Sequence, residues 1–309
     1  MATVTVFGST GRMGRAQVRQ LLLAGHSVRA VSRKKGFYAN QENVEEVLAD
    51  YNDPQSLDEV IKGADVVFYN KPSFDQVSKM LDFCAAVGAA SGRANVRLIY
   101  QTAAYAPEKE IGQFNYDRVL ASENAVLQGG APTTVFRPVL FMDNTLTKWA
   151  REDILNSDEF AYPHKPELEA NWICLDDVAK FMIAAIDRDD LIGRRMVIGG
   201  PETLTPQRIA DFFSGYFGRP IKQKTLTPDE FAIRMADIFE DVSDISREDY
   251  IAAMTGFYEY NNEAEFNPFV VDMEKVLKEI PIKLTPFSEW IGQQEWIPHE
   301  DEEDAPSGG

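Results

Sequence analysis

Apolar positions along this chain recur in two rhythms, one of period two and one of three to four. Val4-Thr5-Val6-Phe7 and Ser27-Val28-Arg29-Ala30-Val31-Ser32 read as short strands, with Val18, Leu21 and Leu22 giving a helical face between them. Asn43 to Asp50 follows, then a helix around Pro54 to Lys62. Ala64-Asp65-Val66-Val67-Phe68-Tyr69 is the almost uninterrupted apolar run of a strand covered on both faces. Val77, Met80, Leu81, Cys84 and Gly88 fall at helical spacing, Val96 to Tyr100 reads as a strand, Tyr116 to Gln128 as a helix, and Thr133 to Pro138 as the next strand. Strands separated by helices predict an α/β fold with a doubly wound parallel sheet.

Beyond Pro138 the alternation loosens. Asp176 or Asp177 is expected to cap a helix burying Val178, Phe181, Met182, Ala185 and Ile186, and Arg194 to Ile198 reads as a last strand returning to the sheet. Leu-Thr-Pro recurs at 204–206, 226–228 and 284–286. In each copy Thr suits the N-cap, Pro the first helical position, and Leu a staple back onto the helix. The pattern predicts a dinucleotide-type unit over residues 1–140, rejoined by 173–199. A smaller, mainly helical lobe is expected from 141–172 and 200–298, with an acidic flexible tail over 299–309.

The turn after the first strand carries the most specific signal. Gly8-Ser9-Thr10-Gly11-Arg12-Met13-Gly14 closes a strand and opens a helix. In such a turn the first glycine permits the bend, the second admits a pyrophosphate to the backbone, and the third lets helix and strand pack closely. The helix start then offers free N–H groups and the positive end of its dipole to the same anion. The first 41 residues hold seven arginines and lysines and no acid, in a chain of formal charge −18.

That overall acidity, with a pI near 4.6, speaks against nucleic acid or an anionic membrane as partner. The eleven acids between Asp229 and Glu265 and the run Glu300 to Asp304 read as a solvated face and a loose tail. Cys84 and Cys174 sit in apolar patterns as expected buried thiols, which points to a reducing, cytoplasmic setting. His26, His164 and His299 are too scattered for a metal site. No apolar run is long enough to span a bilayer, and no leader is expected.

These segments together resemble the NmrA-like branch of the atypical short-chain dehydrogenase/reductases. The resemblance rests on the glycine turn, Val28 to Arg33, Ala49-Asp50-Tyr51-Asn52-Asp53-Pro54, Thr134 to Pro138 with Phe141-Met142-Asp143-Asn144, and Trp172 to Ala179. It implies a Rossmann-like NAD(P) fold, with Asp50 and Tyr51 beside the adenine. Asn70, Lys71 and Pro72 would flank the ribose and nicotinamide, with Pro138 also at the cofactor. The second strand ends in Ser32-Arg33-Lys34-Lys35, with no acid before Glu42. A guanidinium there holds a ribose 2′-phosphate where a carboxylate would repel it, so Arg33 and Lys34 favour NADP(H) over NAD(H), a solvated basic turn being the alternative. Arg12 adds charge from the turn itself.

The family's carbonyl reductases pair a tyrosine with a lysine four residues later. Tyr116 lies in the matching region, but Leu120 stands where the lysine belongs. Tyr116, Thr102 and Tyr105 are the candidate catalytic hydroxyls. Phe141, Met142, Trp149, Phe160, Tyr162 and Trp172 are expected mainly as core, some of them roofing the cleft. No basic cluster is evident there, so the expected substrate is a small apolar or aromatic carbonyl, quinone or conjugated compound. The alternatives are a non-enzymatic NADP sensor that binds a partner protein, or a lyase or isomerase using nicotinamide transiently. A homodimer is compatible with the sequence.

Overall fold

In the computed structural model, residues 1–71, 78–102, 104–239 and 244–296 are described. Pro72, Val77, His299 and the acidic tail lie outside them. Seven parallel strands form the sheet: β1 (Thr3–Phe7), β2 (Ser27–Ser32), β3 (Val44–Leu48), β4 (Val66–Asn70), β5 (Arg97–Gln101), β6 (Thr133–Pro138) and, after three shorter strands, β10 (Arg195–Ile198). Their spatial order is β10-β6-β5-β4-β1-β2-β3. The connections run one way from β1 to β3 and the other way from β4 onward. The crevice between the carboxyl ends of β1 and β4 is therefore the topological switch point, where ligands bind in such sheets.

Alternation along each strand divides the core. Val4, Val6 and Phe68 pack beneath α1 (Arg12–Leu23), which contributes Val18 and Leu21. Phe7, Val67 and Tyr69 face the other way, toward Leu57 and Val60 of α2 (Pro54–Ile61) and Cys84 and Val87 of α3 (Met80–Arg93). Both cysteines are buried and free. Each large buried apolar side chain stabilises the fold by about 1.5–3 kcal/mol. A buried ion-pair network fastens the far edge of the sheet. Arg137 of β6, 1% exposed, grips Glu123 of α4 (Phe114–Leu127) through two hydrogen bonds of 2.9 Å. Arg195 of β10 joins the same carboxylate at 2.7 Å.

The C-terminal region has an aromatic core of its own, centred on Phe160, Tyr162, Trp172, Phe213 and Phe231. Its β7 (Leu140–Phe141) pairs with β9 (Trp172–Ile173), and β8 (Glu159–Tyr162) with β11 (Lys222–Thr225). These small pairs escape the sequence pattern. α5 (Lys148–Glu152) and α6 (Leu175–Ala184) precede β10; α7 (Pro206–Phe217), α8 (Pro228–Phe239), α9 (Arg247–Glu263), α10 (Met273–Glu279) and α11 (Phe287–Ile291) follow it.

Of the four expected caps, two hold and two do not. Thr205 and Thr227 do accept the N–H groups of Arg208 and Glu230, and the Glu230 carboxylate accepts in turn from Thr227 N–H at 2.8 Å, completing a capping box. Thr285 does not cap α11: Pro286 holds the cap position and Glu202 accepts from Phe287 N–H at 2.8 Å. Nor does Asp176 or Asp177 cap α6, whose N-cap is Cys174. The Asp143 carboxylate reaches across to accept from Leu175 N–H at 3.0 Å, and Asp177 turns inward to take the N–H of Thr285 at 2.6 Å. In both helices a distant carboxylate replaces the local side chain.

Candidate functional site

The glycine turn sits at the switch point and opens α1. Gly8 has φ +68°, a left-handed conformation that costs a side-chain-bearing residue about 1–2 kcal/mol. Gly14 has no room for a side chain, because a Cβ there would stand 2.1 Å from the Gly8 carbonyl oxygen and 2.6 Å from Ser9 Cα. At Gly11 the same atom would meet only the Gly8 oxygen, at 3.4 Å. That glycine leaves the approach to the helix start open. No side chain caps α1 and no acid lies in its first turn, so its N-terminal N–H groups and dipole address the crevice. Ser9 anchors the turn by donating its hydroxyl to Val31 O at 2.8 Å, and the Tyr38 hydroxyl closes over it, donating to Ser9 O at 2.7 Å. Thr10 is half-buried and Met13 is packed into the core.

A buried amide cluster supports the crevice from below. Gln17 of α1 and Asn70 of β4 exchange hydrogen bonds of 2.9 and 2.8 Å, and Asn70 also donates to Phe7 O at 2.9 Å. Gln17 reaches Gln101 of β5 at 3.1 Å, while the Gln101 Nε2 amide stays buried with no acceptor. Sequence reasoning missed Gln17, although a glutamine between Ala16 and Val18 on an otherwise apolar face is the visible signal.

At the end of β2, Arg33, Lys34 and Lys35 are exposed, and the Arg33 charge is felt at the half-buried Tyr51. The ring of Tyr51 packs between Phe7 and Phe83 at 5.9 and 5.0 Å. Asp50 accepts from the backbone N–H and side chain of Asn52 at 2.8 and 3.0 Å, which holds its carboxyl below the usual range. Glu46 of β3 approaches the basic loop, but its oxygens take the N–H groups of Gly36 and Tyr38, both at 2.8 Å. Pro138 is buried at the end of β6, opposite Ile198.

Beside the turn lies a cavity of about 280 Å³, between the carboxyl edge of the sheet and the C-terminal region. Phe141, Trp149 and Tyr162 line it together with Phe231 of α8 and Met254 and Phe257 of α9. Of the six aromatic and sulfur side chains expected mainly as core, with some roofing the cleft, these first three reach the cavity; Met142, Phe160 and Trp172 belong to the core behind. Burial pushes Tyr162 up to about 12, while the neighbouring Tyr258 and Asn144 side chains work against that rise. His164 behind this wall is driven down to about 3 by burial and is neutral among rings.

The expectation of no basic cluster is corrected here. Arg12, Lys71 and Arg118 all line the cavity, and among the described residues no carboxylate does. Arg12 donates to the Asp143 carbonyl, tying the glycine turn to the chain that crosses into the C-terminal region. Lys71 follows Asn70 at the end of β4 and forms no hydrogen bond or ion pair with another described residue. Burial lowers its ammonium pKa, and the nearby Arg118 guanidinium lowers it further against the opposing influence of Cys84. Burial also lowers Arg118, which Asp244 counteracts from outside the cavity lining.

None of the three hydroxyls singled out from the sequence borders this cavity. Tyr116 is 1% exposed and donates to Asn261 Oδ1 at 2.6 Å. Thr102 is buried and donates to Ala104 O at 2.6 Å. Tyr105 packs edge-on against Tyr116 at 5.6 Å. Burial raises both tyrosines above the ordinary phenol range.

Comparison with known proteins gives this geometry its context. The chain is 31% identical over 231 residues to the (4-alkanoyl-5-oxo-2,5-dihydrofuran-3-yl)methyl phosphate reductase of Streptomyces griseus, covering 73% of this chain and 78% of that protein. It is 25% identical over 263 residues to the NAD(P)H azoreductase of Xenophilus azovorans, covering 81% and 90%. Among solved structures, the triphenylmethane reductase of Citrobacter sp. complexed with NADP(H) superposes with a TM-score of 0.73 at 19% identity, over 94% of this chain and 99% of that one. The model of the NmrA-like family matches residues 1–296, and the chain belongs to that family.

Proposed function

We propose that this protein is an NADP(H)-dependent reductase of small conjugated acceptors, with the cofactor along the glycine turn and the acceptor in the adjoining cavity. The observation that carries the reading is the junction of the two: Arg12 belongs to the turn and lines the cavity, and Lys71 ends the strand beside it. The residues fit a dinucleotide. Gly8 and Gly14 form a cradle that a Cβ would fill, the start of α1 is uncapped, and the buried Gln101 amide lacks an acceptor. Asp50 and Tyr51 would border the adenine, Asn70 and Pro138 the nicotinamide half. Arg33 and Lys34 would hold the 2′-phosphate, and Glu46 offers no competing carboxylate because the loop's own N–H groups occupy it. The reductase relatives support the same reading.

When bound, the reduced nicotinamide supplies a hydride, which carries the two electrons of the reduction. The protein must then receive negative charge on the acceptor's oxygen and deliver one proton. With Tyr116 and Thr102 donating to other atoms of the fold, we assign that role to the Lys71 ammonium. Its Nζ–H bond breaks as the acceptor's new bond to hydrogen forms, and solvent restores the proton. The aromatic wall keeps water from the acceptor, which strengthens the charge of Lys71 at the reacting atoms.

The test is oxidation of NADPH, followed with a panel of quinones, enones and aryl ketones. Turnover of at least one class is expected, and tight NADPH binding without turnover across the panel would overturn the assignment in favour of a cofactor sensor.

A further inference from the structure

The loop between β2 and β3 is fastened on two sides, to the sheet by Glu46 and to the glycine turn by Tyr38. Glu46 stands in β3 opposite Ala30 of β2. One of its carboxylate oxygens accepts from Gly36 N–H and the other from Tyr38 N–H, both at 2.8 Å. The bend that brings both amides to one carboxylate runs through Gly36, whose φ of +112° is open to glycine and disfavoured for other residues. Hydrogen bonds from Tyr38 and Gly36 hold the carboxyl below the usual range, helped by the Lys35 charge, so Glu46 is ionised at neutral pH.

Tyr38 then carries the loop onto the turn. Its hydroxyl donates to Ser9 O at 2.7 Å, and the adjacent Phe37 ring lies 6.0 Å from the Arg15 guanidinium of α1. A trans peptide is planar, and its C=O and N–H point in opposite directions. Fixing the Ser9 carbonyl therefore fixes the Thr10 N–H, directed away from Tyr38. Among the described residues nothing accepts from that N–H. It is a donor held in place for a phosphate oxygen at the opening of α1.

Resting on the NADP(H) reading above, we infer that Glu46 and Tyr38 are positioning residues for the dinucleotide: Glu46 shapes the basic loop that receives the 2′-phosphate, and Tyr38 locks that loop to the peptide that receives the pyrophosphate. Neither borders the acceptor cavity. The role of Glu46 has a definite sign. As a bare negative charge near a 2′-phosphate it would repel the cofactor, and its removal would strengthen NADPH binding. Here both oxygens are turned into the loop backbone, while Lys34 and Lys35 stand exposed on the other side of the bend. Removal of the carboxylate then releases the loop, and NADPH binding weakens.

The experiment titrates NADPH and NADH by calorimetry into the full chain, as wild type, Glu46→Gln and Tyr38→Phe. Glu46→Gln sets an amide N–H against one of the two loop N–H groups. It should weaken NADPH by about 2- to 10-fold and NADH by less, and the retained NADH affinity shows that the variant is folded. Tyr38→Phe keeps the ring and loses the bond to Ser9. It should weaken both dinucleotides by a similar factor, since both carry the pyrophosphate. Tighter NADPH binding in Glu46→Gln, or an unchanged NADPH to NADH ratio, overturns the inference for Glu46. Wild-type affinities in Tyr38→Phe, or a loss confined to NADPH, overturn it for Tyr38. A wild type that binds the two cofactors equally strikes the underlying NADP(H) reading and the inference with it. A wild-type preference that survives in Glu46→Gln strikes the role of Glu46 alone.

Discussion

Eight consecutive residues, Phe7 to Gly14, make the glycine turn, whereas the cavity beside it draws its wall from positions as far apart as Arg12 and Phe269. The turn works through backbone geometry: a positive φ at Gly8, an excluded Cβ at Gly14, open helix N–H groups at Gly11. The cavity works through side chains from separate elements that only the fold brings together. Backbone geometry is specified locally and so is written in a short motif. Electrostatics of a cleft depend on who arrives from elsewhere. The difference explains why the glycine turn announces itself in the sequence and the cavity beside it does not.

The largest expected effect lies in the cavity. Lys71→Met removes the proposed proton donor and should lower turnover by about 10²- to 10⁴-fold with NADPH affinity nearly intact, as measured by stopped-flow oxidation of bound NADPH. Loss of NADPH binding with unchanged chemistry would move Lys71 to the cofactor side of the comparison. The turn comes next. Gly14→Ala forces a methyl against the Gly8 carbonyl and Ser9 Cα, and overpacking of this kind costs about 1–3 kcal/mol. Thermal unfolding should register that loss together with weakened NADPH binding, whereas Gly11→Ala should unfold like wild type and lose cofactor affinity alone.

Much of the fold was legible before the structure, and the misreadings share a cause. The apolar runs located the inner strands of the large sheet, β1, β4, β5 and β6, because these are buried almost along their whole length. β11, Lys222–Thr225, went unseen because its side chains are polar and mostly exposed, and only pairing with β8 makes it a strand. Thr285 looked like a third cap and Asp177 like a fourth, yet the two bind each other and leave α11 to Glu202 and α6 to Asp143. The cationic set was hidden in the same manner: Arg12, Lys71 and Arg118 are joined by topology and by no spacing. Tyr116 lies in a suggestive segment, yet its hydroxyl donates to Asn261 and does not border the cavity.

Smaller effects sharpen the contrast. Arg33→Asp should weaken NADPH by about tenfold or more through loss of a charge-assisted contact, and leave NADH little changed. Titration of both cofactors checks this, and an unaltered NADPH to NADH ratio would make the basic loop a solvated turn. Tyr116→Phe should cost about 0.5–1.5 kcal/mol of stability for the lost bond to Asn261, yet keep turnover within about twofold. A collapse of turnover in that variant would return catalysis to the hydroxyl that the sequence first suggested.

The assignment of Lys71 is tested most directly by the pH dependence of kcat/KM, which reports the groups of the free enzyme. Lys71 must be protonated to act, so activity should hold at low pH and fall as pH rises through its pKa. Burial and Arg118 place that fall below the usual lysine range, although Cys84 opposes them and Arg12 shares the cavity. The account predicts that Arg118→Gln moves the fall to higher pH and that Lys71→Met abolishes it. A fall at the same pH in wild type and in Lys71→Met would contradict the account and assign the proton to another group.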